Sequence, residues 1–126
     1  MEIMIYTDAS VKDAQAAYAF MILSETEHIA TRAGVYSPDK KAIGICSAEF
    51  RCIENAVKFC EQLGIPKETK ITVYSDSTTA INWAKKSIKS QYEITYVHIR
   101  GHQANLNPNK IIDSLAKGVL ACNDSI

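Results

Sequence analysis

Hydrophobic and polar positions alternate along residues 2–8, with Ile3, Ile5 and Thr7 on one side and Met4 and Tyr6 on the other. A period of two predicts a half-buried β-strand, which here ends at Asp8 and the small residues Ala9 and Ser10. Residues 17–23 are apolar and aromatic, and residues 28–36 carry β-branched and aromatic side chains. The polar stretch 24–27 between them reads as a hairpin connection, so these are the expected second and third strands, antiparallel to their neighbours. From Ser47, a candidate cap, Phe50, Ile53, Val57 and Cys60 recur at helical spacing up to about residue 63, where Gly64 and Pro66 end the pattern. Residues 70–74 form a short β-branched strand. Asp76 or Ser77 then caps a helix that has Ala80, Ile81, Ala84 and Ile88 along one side. Residues 93–99 read as a further strand and 101–107 as a polar loop. Asn107 as cap and Pro108 at the first helical position open a last helix, striped by Ile111, Ile112, Leu115, Val119 and Leu120.

The resulting order is three strands, helix, strand, helix, strand, helix. Hairpins make the first three strands antiparallel, whereas the later strands need helical crossovers to run parallel, so the expected architecture is an α/β mixed sheet with helices on its faces. A length of 126 residues suits one domain spanning 1–126 and buries a core without disulfides. No repeat, low-complexity tract or linker interrupts it.

Composition narrows the function classes. Hydrophobic residues make up 47% and charged residues 22%, a globular rather than a disordered balance. The apolar stretch 16–23 is far below the roughly 20 residues a membrane-spanning helix needs, and residues 1–10 do not read as a secretory signal. Cys46, Cys52, Cys60 and Cys122 form no CxxC pair, which argues against zinc and for reduced thiols in a cytoplasmic setting. Fourteen basic and fourteen acidic residues give no net charge. Polyanion binding draws on local lysine and arginine, and the run Lys85, Lys86 and Lys89 reads first as a solvated helix face.

Four acids stand at element edges: Asp8 after the first strand, Glu49 in the expected first turn of the first helix, Asp76 after the fourth strand and Asp113 in the last helix. Singly, each has an ordinary explanation as turn former, helix-dipole partner, cap or solvated polar residue. Together they do not. If the first and fourth strands are parallel neighbours, their carboxyl ends bring Asp8 and Asp76 to one rim, within reach of Glu49. Two unit charges about 4 Å apart repel by roughly 4 kcal/mol at an effective dielectric near 20, and a divalent cation is the natural compensation. An oxygen-only ligand set favours magnesium or manganese over zinc.

On Tyr6-Thr7-Asp8-Ala9-Ser10, Ala48-Glu49, Tyr74-Ser75-Asp76-Ser77 and Gly101-His102 followed by Asn109 and Asp113, the chain resembles the type 1 ribonuclease H family. The matching pieces span nearly the whole chain in the family's order. The resemblance implies a ribonuclease H-like five-stranded sheet of order 3-2-1-4-5 and an endoribonuclease that cuts the RNA strand of RNA–DNA hybrids, with a monomer assumed. It implies that Asp8, Glu49, Asp76 and Asp113 hold two Mg2+ ions, with Mn2+ as a substitute. One ion would activate water and the other stabilise the leaving 3′ oxygen, giving 5′-phosphate and 3′-hydroxyl ends. Glu49 would also accept a hydrogen bond from a ribose 2′-hydroxyl. His102 would assist leaving-group protonation or product release. Ser10, Ser77, Thr78 and Asn109 would position substrate. His28 and His98 fall inside strands and read as structural.

Several positions depart from the family pattern. Ala9 replaces the usual glycine, Ile45 and Cys46 replace asparagines ahead of the helix glutamate, and Thr78 replaces a glutamine. The second helix leads directly into the last strand, without the extra helix and basic protrusion that grip hybrids in some members, so an additional nucleic-acid-binding partner or domain is the expected source of grip. The competing expectations are a ribonuclease H-like module that binds nucleic acid or protein without cutting, and a nuclease for double-stranded RNA or for DNA.

Overall fold

In a computed structural model, which describes residues 1–12, 15–36 and 44–99, the two-residue alternation of the first segment becomes the central strand of a five-stranded sheet. The elements are β1 (Glu2–Lys12), β2 (Gln15–Ser24), β3 (His28–Tyr36), α1 (Ile45–Gln62), β4 (Lys70–Ser75), α2 (Thr78–Ser87) and β5 (Glu93–His98). The strand order is β3-β2-β1-β4-β5, as expected. Strands β1, β2 and β3 pair antiparallel, while β4 runs parallel to both β1 and β5. The helical crossovers α1 and α2 make those parallel pairings reachable.

Pairing extends the first hairpin beyond the expected strand ends. Ser10 pairs with Ala17 and Lys12 with Gln15, so β1 runs four residues past Asp8. Alanine and serine are poor strand formers alone, and a partner strand with a buried face overrides that preference. Ala9, Ala16 and Ala48 form a small-residue contact where α1 crosses the sheet. There the methyl of Ala9 is buried rather than disruptive.

The main core lies on one face. Ile3, Ile5, Phe20, Ile22, Ile71 and Val73 of the sheet pack against Cys52, Ile53, Val57 and Cys60 of α1 and Ala80 and Ala84 of α2. Both described helices therefore cover the same face. On the other face Tyr6 and Tyr74 stack with centroids 4.6 Å apart, beside Met21, Ala17 and Ala19. The helix expected from Asn107 onward, on which the expectation of helices on both faces rests, lies outside the described residues.

One helix start differs from expectation. The N-cap of α1 is Gly44, and Ser47 sits inside the first turn instead of capping it. The Gly44 carbonyl accepts from the Ser47 and Ala48 amides at 3.1 and 3.2 Å, so the backbone opens the helix without a side-chain cap. Glu49 consequently stands about one turn deeper than expected, beyond the first turn where a carboxylate complements the helix dipole. At the other end Gly64 takes φ +74, the left-handed turn for which glycine suits. Helix α2 is capped by Ser77, whose Oγ accepts from the Ala80 amide at 3.1 Å, leaving the Asp76 carboxylate out of the cap. Lys85 and Lys86 occupy its last turn, where they complement the helix dipole. Among the described residues Cys46, Cys52 and Cys60 are free thiols, and no helix is long and apolar enough to cross a membrane.

Candidate metal centre

The β1–β4 ladder ends at the pair Tyr6 and Tyr74. Asp8 lies two residues beyond that pair on β1, and Asp76 lies two residues beyond it on the β4 side. Parallel register thus carries two Tyr-x-Asp segments to one rim with their acids at the same height. From the helix-covered side, α1 delivers Glu49. One carboxylate oxygen from each of Asp8, Glu49 and Asp76 lies within 4.8 Å of the others.

Glu49 and Asp8 are both buried, at 2% and 3% exposure, and Asp76 is half-buried. Past the end of the β1–β4 ladder, the Ala9 amide donates to Glu49 Oε1 at 3.3 Å. Glu49 Oε2 is buried with no hydrogen-bond partner. Leaving such an atom unsatisfied costs about 1–3 kcal/mol, and more for a charged group. Burial, then the carboxylates of Asp76 and Asp8, push the Glu49 carboxyl up to about 11. A cation among the three would reverse that balance, because its field favours the ionised form. Three oxygen ligands, one of them orphaned, fit a hard divalent ion. Behind the site, Cys52 is buried and its Sγ donates to the Ala19 carbonyl at 3.2 Å. Burial, then Glu49, raises its thiol pKa well above the usual range, so this cysteine is structural.

The acids open into a cleft of about 550 Å³, whose walls include Ser10, Val11, Ile45, Cys46, Thr78 and Thr79. Ile45, 48% exposed, adds an apolar side chain to a lining otherwise rich in hydroxyl groups. Ser10, Ser77 and Thr78 all line the cleft. The Ser77 hydroxyl, however, is engaged as the α2 cap and contacts Cys46 Sγ at 3.9 Å. We expect Ser77→Ala to cost about 1 kcal/mol through the lost cap. Thermal unfolding of the variant checks this, and an unchanged midpoint would refute the cap.

His102, Asn109 and Asp113 lie outside the described residues, so the described part of the site holds three of the four expected carboxylates. One residue escaped the sequence reading. His98, at the end of β5, places its Nε2 3.2 Å from the backbone oxygen of Asp76. No local signal marks it, since the contact depends on the register that pairs Ser75 with His98. His28 bonds Thr31 Oγ1 within β3, in keeping with a structural role.

No protein-family profile matches the chain, and no curated protein sequence does. Solved structures do match. Ribonuclease H1 from the halophilic archaeon Halobacterium salinarum superposes with a TM-score of 0.74 at 13% identity, over 97% of this chain and 99% of that one. The N-terminal ribonuclease H domain of a Mycobacterium tuberculosis protein, solved as a fusion with maltose-binding protein, gives 0.74 at 15% identity, over 98% and 96%. The LC11 ribonuclease H1, solved in complex with an RNA/DNA hybrid, gives 0.70 at 14%, over 96% and 98%. At these identities the likeness is one of fold: the chain has the architecture of type 1 ribonuclease H structures over nearly its whole length.

Proposed function

We propose that this protein is a metal-dependent endoribonuclease of the type 1 ribonuclease H family that hydrolyses the RNA strand of RNA–DNA hybrids. The observation that carries the reading is the convergence of Asp8, Glu49 and Asp76 from three separate elements to within 4.8 Å. The shared fold and the hybrid bound to the LC11 enzyme support the choice of substrate. A binding module would gain nothing from three mutually repelling carboxylates, one with a buried, unpartnered oxygen.

Asp8, Glu49 and Asp76 would hold divalent cations, with Asp113 as the fourth carboxylate. Bound there, Mg2+ or Mn2+ supplies Lewis-acid stabilisation of charge at the scissile phosphate and lowers the pKa of water. The chain's own contribution is to keep the three acids at fixed separation. Parallel register sets Asp8 against Asp76, and the Ala9 amide anchors Glu49 through Oε1 while Oε2 remains for the cation. Ser10 and Thr78 at the cleft wall would position the strand, with Asn109. His102 would deliver a proton to the leaving 3′ oxygen, leaving 3′-hydroxyl and 5′-phosphate ends. Ile45 and Cys46 offer no amide donors or acceptors to the bases from that wall, so affinity for the hybrid would rest on the backbone and on a partner.

The test is cleavage of an end-labelled RNA–DNA hybrid with Mg2+, with Mn2+ and with chelator, beside matched double-stranded RNA and DNA. Metal-dependent cutting of the hybrid's RNA strand alone is the expected result. Cutting of double-stranded RNA would reassign the substrate, and no cutting by folded protein under either metal would favour the binding module.

A further inference from the structure

We propose that His98 is a positioning residue for Asp76, acting through the backbone; the inference rests on the nuclease reading. Asp76 stands one residue beyond β4, so the strand ladder stops short of it. Its neighbours are held on both sides. The Ile99 amide donates to the Ser75 carbonyl at 2.9 Å, and the Ser77 amide donates to Ser75 Oγ at 3.2 Å. The carbonyl of Asp76 itself meets the imidazole of His98, with Nε2 3.2 Å from the oxygen.

A carbonyl oxygen only accepts, so this bond requires the proton on Nε2. The tautomer is therefore part of the inference. With the preceding peptide held through the Ser75 carbonyl, holding the one that follows Asp76 restricts the backbone torsions there and so the direction of its Cα–Cβ bond. β5 can do this only because its last residue pairs with Ser75, one position short of the acid. Ser75 is fully buried, while Asp76 is half-buried. The peptide that follows Asp76 is thus held at both ends, its amide by Ser75 Oγ and its carbonyl by His98, and without the His98 bond only the single 3.2 Å contact from the Ser77 amide would remain. His98 is itself exposed, so its removal should cost little global stability. What it should cost is ligand geometry, to which carboxylate sites for small divalent ions are sensitive.

The experiment compares the full chain with His98→Phe, which keeps a planar ring and strand propensity but no donor, and His98→Gln, whose amide can still donate. Mn2+ affinity is read by electron paramagnetic resonance, hybrid cleavage as kcat and KM, and the wild-type ring tautomer by 15N NMR. We expect His98→Phe to weaken Mn2+ binding about three- to tenfold, the range one net hydrogen bond supports. Its KM for the hybrid and its thermal midpoint should stay near wild type, His98→Gln should recover most of the affinity, and the ring should carry its proton on Nε2. Unchanged Mn2+ affinity in His98→Phe, a raised KM with unchanged metal affinity, or a ring protonated on Nδ1 would each overturn the inference while leaving a cleaving wild type intact. A wild-type chain that neither binds Mn2+ nor cuts the hybrid would defeat the nuclease reading, and this inference with it.

Discussion

Asp8→Asn and Asp76→Asn should each reduce metal-dependent cleavage about a thousandfold or more. Asparagine preserves the size and most of the hydrogen bonding of aspartate but removes the charge that binds a hard cation. Lewis-acid stabilisation by a bound ion contributes several kcal/mol at the transition state, and about 4 kcal/mol corresponds to roughly a thousandfold in rate. The two acids occupy equivalent places, two residues past the last β1–β4 pair, so neither should be spared. Their effects should not add, because both act on one ion cluster. Folding should survive, since each change removes one charge from a group of three carboxylates within 4.8 Å, relieving repulsion. Circular dichroism and thermal melts check the fold, and hybrid cleavage checks the activity. Metal-dependent cutting that persists in both variants would sink the assignment of these acids.

The second large effect is a coupling between metal, pH and stability at Glu49. Its carboxyl is raised from 4.5 to about 11 by burial, Asp76 and Asp8. Between those values the folded chain holds a proton that the unfolded chain has released, so stability declines as pH rises. This contribution is fully present below the unfolded value and is lost as pH climbs towards the folded one. A divalent cation acts in the opposite direction, because it binds the ionised cluster of the folded chain alone. At about pH 8, metal at a hundred times its dissociation constant stabilises by about 2.7 kcal/mol, which for a domain of this size raises the melting temperature on the order of 10 °C. At about pH 4 the proton competes and the metal effect should vanish. Glu49→Gln, which keeps the Oε1 acceptor for Ala9 but cannot ionise, should flatten the chelator-only decline and lose most of the metal response. Melting curves in chelator and in Mn2+ across that pH range decide it. A wild-type melting temperature that rises with alkaline pH in chelator, or a variant that responds to metal as the wild type does, would refute the role of Glu49.

Patterning alone determined the kinds of elements and their order, because buried faces impose their period locally: two residues for Ile3, Ile5 and Thr7, and three to four for Ile53, Val57 and Cys60. The strand order was legible through the family resemblance, and the motifs pointed to Asp8, Glu49 and Asp76, which the fold brings together. Even the identity of the α2 cap was narrowed to Asp76 or Ser77. Tertiary structure decided what depends on partners distant in sequence. Strand pairing, not propensity, extended β1 to Lys12, and backbone capping by Gly44 moved Glu49 one turn deeper into α1. Only the packed α1–β1 contact could show that Glu49 has one oxygen on the Ala9 amide and the other without a partner. The same holds for His98, which reads from sequence as one more strand residue. Its contact with Asp76 spans 22 positions and exists because parallel register sets the end of β5 beside the end of β4. Period and motif are local properties of a chain, whereas register, burial and the direction of a carboxylate are settled only when separate elements meet.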